Sequence, residues 1–155
     1  MQVEQQAEHR WLMRMLGEWE SVGHCNMVPD GTELRGRESV RALGEVWVVG
    51  EGEGEMPGGG TGRTLMSLGY DPAQGCFVGQ FIGSMMTHPW TYRGQLEGDT
   101  LVLDTEGPDC RGGTARFQDH IRLEDDDTRH MTSRMALPEG GWEEVMRMTF
   151  RRRRG

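Results

Sequence analysis

Apolar and polar residues follow two different rhythms along this chain, with the change near Trp19. Before it, Ala7, Trp11 and Met15 recur at i, i+4 and i+8, with Leu12 and Leu16 beside them. That spacing makes one apolar stripe and predicts a helix over about 4–16, ended by Gly17 at the C′ position. From Trp19 onward the period is two: Trp19, Ser21, Gly23, Cys25 and Met27 alternate with Glu20, Val22, His24 and Asn26. Pro29-Asp30-Gly31 reads as a turn. Further strands are expected at 34–43, 46–55, 64–70, 76–84, 90–96, 100–105, 115–123, 129–137 and 142–152. Turns rich in Gly, Pro and Asp separate them, among them Asp71-Pro72-Ala73-Gln74-Gly75, Glu97-Gly98-Asp99 and Pro138-Glu139-Gly140-Gly141.

About ten short strands at even spacing predict an all-β antiparallel meander. An open sheet of that size exposes two long edges, and closing it into an up-and-down β-barrel removes them. A barrel of about ten strands has an interior wide enough for a ligand, and the helical stripe suits its open end. Glycine changes the picture in the same direction. There are 24 among 155 residues, about twice the usual share of roughly 7%, and many stand inside strands, where they mark bends and close backbone approach.

Charge narrows the partners. The 25 acidic residues outnumber the 17 basic ones, for a net charge of −8, and every basic residue is Arg. An acidic surface repels phosphate backbones and anionic lipid, so neither nucleic acid nor membrane is expected as a partner. Without Lys, Schiff-base chemistry and the phosphate-loop lysine are excluded. Cys25, Cys76 and Cys110 are odd in number and widely spaced, which reads as a reducing compartment. With no signal-peptide pattern at the N-terminus and no apolar span, a cytoplasmic protein is expected.

The tripeptide Gly17-Glu18-Trp19, extended by Gly23, resembles the first-strand signature of calycin-type barrels: lipocalins, fatty-acid-binding proteins and nitrobindin-like haem barrels. The resemblance implies that Trp19 plugs one barrel end and that a basic residue of the last strand, from Arg151 to Arg154, lies across it. Longer stretches resemble a bacterial lipocalin-like family of unknown function. They are Val46-Trp47-Val48-Val49-Gly50-Glu51-Gly52, Leu65-Met66-Ser67-Leu68-Gly69-Tyr70-Asp71-Pro72, Phe77-Val78-Gly79-Gln80-Phe81-Ile82-Gly83-Ser84-Met85-Met86-Thr87-His88 and Leu103-Asp104-Thr105-Glu106-Gly107-Pro108. That likeness implies a fold and no reaction. Nitrobindin-like barrels hold haem through a His near the C-terminal strands; residues 142–150 contain none, so haem by that route is not expected.

The richest stretch chemically runs from Gly83 to Tyr92. Ser84, Met86, His88, Trp90 and Tyr92 are candidates for a pocket mouth, since Met and aromatic side chains make adaptable apolar contacts. Trp47 joins them as a candidate ligand-binding residue. On 115–123 the apolar set Ala115, Phe117, Ile121 and Leu123 should point inward and takes Asp119 with it. A carboxylate there needs a partner, such as His88 or an Arg, or else a raised pKa. Glu51, Glu53 and Glu55 share a face that should meet solvent, with Gly50, Gly52 and Gly54 inside. The histidines have no metal-ligand spacing, Asp125-Asp126-Asp127 lacks the rest of a calcium loop, and no nucleophile elbow occurs.

The expectation is therefore one lipocalin-like barrel domain over residues 1–155, its helix at about 4–16 and its barrel at about 18–152. Its leading function is binding of a small, mostly apolar molecule in the lumen, with no cofactor, no metal and no assigned catalytic residue. Two alternatives stand beside it: an enzyme using Asp119 and His88 as lumen acid–base groups, and a structural or interaction module whose barrel is filled by its own side chains. A homodimer is compatible with each.

Overall fold

A computed structural model describes residues 3–26 and 31–154. It contains one helix, α1 (Ala7–Met13), and ten strands: β1 (Gly17–Cys25), β2 (Glu33–Leu43), β3 (Trp47–Glu55), β4 (Thr61–Asp71), β5 (Cys76–Gly83), β6 (Trp90–Glu97), β7 (Thr100–Pro108), β8 (Thr114–Leu123), β9 (Thr128–Ala136) and β10 (Trp142–Arg152). Each strand pairs antiparallel with its neighbours in sequence, and β10 returns to pair with β1, so the sheet is a closed up-and-down barrel. Met27, Pro29 and Asp30, expected at the end of the first strand and in its turn, lie outside the described residues.

The helix is shorter than its apolar stripe. Its start is set by the Gln6 backbone N–H, which donates to His9 Nδ1 at 2.9 Å. Beyond Met13 the bonds tighten: Met15 N–H reaches Leu12 O at 3.0 Å and Leu16 N–H reaches Met13 O at 3.2 Å. Such i to i+3 bonds make a narrower turn than an α-helix, so the stripe continues to Leu16 after the helix proper has ended. The helix is fastened to the barrel by His9, almost fully buried, whose Nε2–H donates to the Tyr70 carbonyl at 2.9 Å.

Gly17 then opens β1 at φ +129°, and a Cβ there would collide with the Arg152 guanidinium. Trp19 is 1% exposed and its indole N–H donates to Met15 O at 2.9 Å. Arg152, from the last strand, stacks 4.3 Å from the Trp19 ring centre and donates to the carbonyls of Leu16 and Arg14. The plug implied by Gly-x-Trp is thus present, with Arg152 as the basic residue across it.

Registers fix which side chains face inward. Around the helix end these include Val40, Val48, Leu68, Phe77, Leu101, Leu103, Ile121, Leu123 and Phe150, which pack with Trp11, Leu12, Met15 and Trp19 in one core. Gly50, Gly52 and Gly54 also face inward, while Glu51 and Glu53 bond Arg41 and Arg37 on the outer surface at 2.9 and 3.1 Å.

Candidate functional site

Because the alternation runs on to the mouth in every strand except β10, whose register shifts between Glu144 and Met146, the half of the lumen away from α1 can be read as rings of inward side chains. Nearest the core, the ladder β8–β9 sets Asp119 opposite Ser133, and β7–β8 sets Leu103 opposite Asp119. Arg93 stands opposite Asp104 and Gly94 opposite Leu103, so Tyr92 and Thr105 form the next step of that ladder. Four polar side chains on four consecutive strands thus form a belt in an otherwise apolar wall. Tyr92 Oη donates to Asp119 Oδ2 at 2.5 Å, and the Ser133 side chain also bonds Asp119. The Thr105 hydroxyl is sealed from solvent and has no hydrogen-bond partner.

Burial raises the Asp119 pKa above the ordinary carboxylate value; bonds from Tyr92 and Ser133 and the charge of His120 oppose that rise without cancelling it. The Tyr92 phenol lies well above its usual 10.0, first because it is buried and then because the neighbouring carboxylate disfavours a second negative charge.

One ring nearer the mouth, Trp90 and Phe117 meet edge to face with centroids 4.9 Å apart, and His88 meets Trp90 in the same manner at 4.9 Å. His88 Nε2–H donates to the Glu106 carbonyl at 2.9 Å. The space for both rings comes from Gly107, where a Cβ would strike Trp90 and His88. A depression of about 450 Å³ opens beside them, bounded by His88, Glu106, Gly107, Pro108 and Thr114. On the adjoining wall, β5 and β4, Met85 and Met86 lie over Gly83, and Met85 and Met56 over Gly62. Ser84 sits on the rim, its hydroxyl accepting the Arg63 backbone N–H at 2.9 Å.

The structure therefore brings Met86, His88 and Trp90 to the mouth, with Tyr92 and Asp119 one layer deeper. It does not bring Trp47 there. Trp47 is on the outer face, laid across Gly69, where a Cβ would enter the indole ring, and it is 38% exposed. Of the two courses expected for Asp119 the structure takes the second, a raised pKa, and the carboxylate is held by Tyr92 and Ser133 rather than by His88 or an Arg. His88 bonds the Glu106 carbonyl instead, because the Trp90–Phe117 ring layer occupies its level of the barrel.

Residues 4–152 match a family whose description is "Protein of unknown function (DUF1579)". The chain belongs to that family. The DUF1579 barrel is similar in shape to the crystal structure of Rv2717c from M. tuberculosis, at 14% identity and TM-score 0.66, covering 97% of this chain and all (100%) of that one. It is also similar to an S-type phycobiliprotein lyase, CPES, from Guillardia theta, at 16% identity and TM-score 0.59, covering 97% and 95% of the two chains. The barrel EF1p2_mFAP2b bound to DFHBI matches at 11% identity and TM-score 0.53, covering 94% and 98%. No curated protein sequence matches.

A second charged feature of the DUF1579 barrel was absent from the sequence expectations. Arg129, 1% exposed, donates to Glu38 inside the lumen and stacks against Phe150 and Trp19 at 4.0 and 4.9 Å. Its Nε has no partner. The alternation held the signal: Glu38 shares a face with Leu34, Gly36 and Val40, and Arg129 with Met131, Ser133 and Met135. Among the described residues no cluster of three or more His, Cys, Asp or Glu is arranged to hold a metal. No helix is long and apolar enough to cross a membrane.

Proposed function

We propose that this protein binds a small, mostly apolar molecule in the half of the lumen opposite α1. The observation that carries the reading is that inward-facing side chains there keep solvent contact. Trp90, Phe117, Met135, Met146 and Met148 all point into the barrel yet are only partly buried, whereas most of their counterparts near the helix, Leu68, Leu101, Leu103 and Ile121 among them, are sealed. An inward residue stays exposed only if the space before it is open, and a water-filled apolar concavity gains free energy when an apolar molecule displaces that water. The methionines suit such a site because they reshape without strain. Barrels of the same shape add support: one is a structure bound to DFHBI. A lipocalin-like mode, with the ligand entering the open end and α1 and Trp19 closing the other, is consistent with the same geometry. Met86, His88, Trp90, Tyr92 and Asp119 line it; Ser84 fixes the rim.

A reading as an acid–base enzyme built on Asp119 and His88 is less favoured, because their hydrogen bonds lead to different partners. The test is titration with a panel of environment-sensitive apolar fluorophores. One equivalent should be taken up by the folded protein, with quenching of Trp90 judged against Trp90→Phe. Indifference to the whole panel would sink the reading and favour a barrel filled by its own side chains.

A further inference from the structure

We infer that the ligand carries a positively charged nitrogen, an ammonium or amidinium group on an apolar body, and that Asp119 receives it. The inference rests on the proposed binding site and names the chemistry of its polar end.

The first support is the charge inside the barrel. Along the inward-facing walls, Glu38 and Arg129 neutralise each other by direct contact. Asp119 has no such cation. Its partners are two hydroxyls, and the charge acting on it is that of His120, on the outer face of the same strand. A carboxylate in an apolar lumen is costly unless paired. Two donors, Tyr92 and Ser133, aim at it, so it is held as an acceptor with lone pairs to spare.

The second support is independent of that charge. Thr105 faces the lumen beside Tyr92, is 9% exposed, and its hydroxyl lacks any partner. An N–H bonded to Asp119 at this belt would have a hydroxyl within the same ring to accept a second hydrogen bond, and a protonated nitrogen has more than one N–H to give. The third support is the aromatic ring directly above. Phe117 precedes Asp119 by two residues on one face and Trp90 precedes Tyr92 likewise, so a cation approaching from the mouth passes two aromatic rings, whose faces, unlike their edges, attract cations over anions. An anionic head group would meet the opposite: a carboxylate at the belt, with the lumen guanidinium of Arg129 already engaged by Glu38.

Three probes with one apolar body decide the matter: naphthylbutylamine, naphthylbutanol and naphthylbutyric acid, titrated by calorimetry at neutral pH. The amine should bind at least about tenfold tighter than the alcohol, or roughly 1.4 kcal/mol, and the acid most weakly. Asp119→Asn should erase the advantage of the amine while keeping the alcohol's affinity; Asp119→Ser serves if that variant does not fold. Asp104→Asn, on the outer face, controls for attraction to the acidic surface and should leave the ranking intact. An amine no tighter than the alcohol, or an advantage that survives loss of Asp119, overturns the inference and leaves the pocket standing. Failure of all three probes to bind removes the pocket itself.

Discussion

The two halves of this barrel are built by one alternation and do opposite things with it. Near α1 the inward positions are mostly Leu, Val, Ile, Phe and Trp, with the Glu38–Arg129 pair packed against Trp19. Leu12, Met15, Leu68, Leu101 and Leu103 retain no solvent contact there (0%). Near the mouth the inward positions are Gly, Met, Ser and half-exposed rings. The strands are the same strands, running from one half into the other, so backbone pairing cannot account for the difference. Side-chain volume does: large residues meet across the axis and fill it at one end, and glycines with flexible thioethers leave it open at the other. Stability is therefore concentrated at the helix end, and the mouth is free to be specialised for a ligand.

The strongest way to break that comparison is at Trp19. Trp19→Ala should cost roughly 3–5 kcal/mol, measured by chemical denaturation, because it empties a sealed site and leaves Arg129 and Arg152 without the ring between them. A loss under about 1 kcal/mol would show that the helix end is not where the fold is held. Next comes Glu38→Ala, which strands the buried Arg129 guanidinium and should cost about 3 kcal/mol. The double change Glu38→Leu with Arg129→Met should recover most of it, since an apolar pair satisfies the same volume without charge. If the double variant is as weak as the single one, the ion pair is required for more than neutrality.

At the mouth the pattern should invert. His88→Ala removes one hydrogen bond on the rim and should lower stability by less than about 1 kcal/mol, while weakening uptake of a fluorophore about tenfold, or roughly 1.4 kcal/mol. A large drop in melting temperature with unchanged affinity would assign His88 to packing. The last effect is read across pH and belongs to Tyr92→Phe, which takes one donor from the buried Asp119 carboxylate at neutrality and shows itself separately in base. The folded phenol titrates above the unfolded value of 10.0, so the folded state holds its proton longer. Stability must then fall as pH rises past 10.0 until the folded phenol also ionises. The Phe variant should lack that part of the alkaline decline in denaturation curves recorded across the range.

Much of this was legible beforehand for a physical reason: a barrel wall is a period-two object, and Asp119 inside and Glu51 and Glu53 outside follow from counting, while a basic residue over Trp19, one of Arg151 to Arg154, was implied by the Gly-x-Trp resemblance. Trp47 was not, because Val46-Trp47-Val48-Val49 is apolar on both faces and alternation loses its meaning there. Its slot is made by Gly69, 22 residues on and paired across a strand. The Glu38–Arg129 pair spans 91 residues, and no local rule joins them, though each stands as a lone charge on an apolar face. The longer β4, beginning at Thr61, reflects a hairpin in which Met56 N–H bonds Gly60 O at 3.0 Å, a tight closure that the run of glycines concealed.

The seam between β1 and β10 has a kinetic meaning. It joins Trp19 to Arg152 and Cys25 to Met146, the pairing of greatest sequence separation in the molecule. During synthesis nine strands leave the ribosome before the tenth, and all that time β1 and the newest strand, β9 at the last, present unpaired edges. Zipping the hairpins is local and fast; the final closure must wait for the whole wall and bears the largest loop entropy. Arg152, reaching from that last strand to the carbonyls at the end of the helix, is then the latch. It engages only once every other strand is in place, so the chain passes its period of greatest aggregation risk just before the barrel closes.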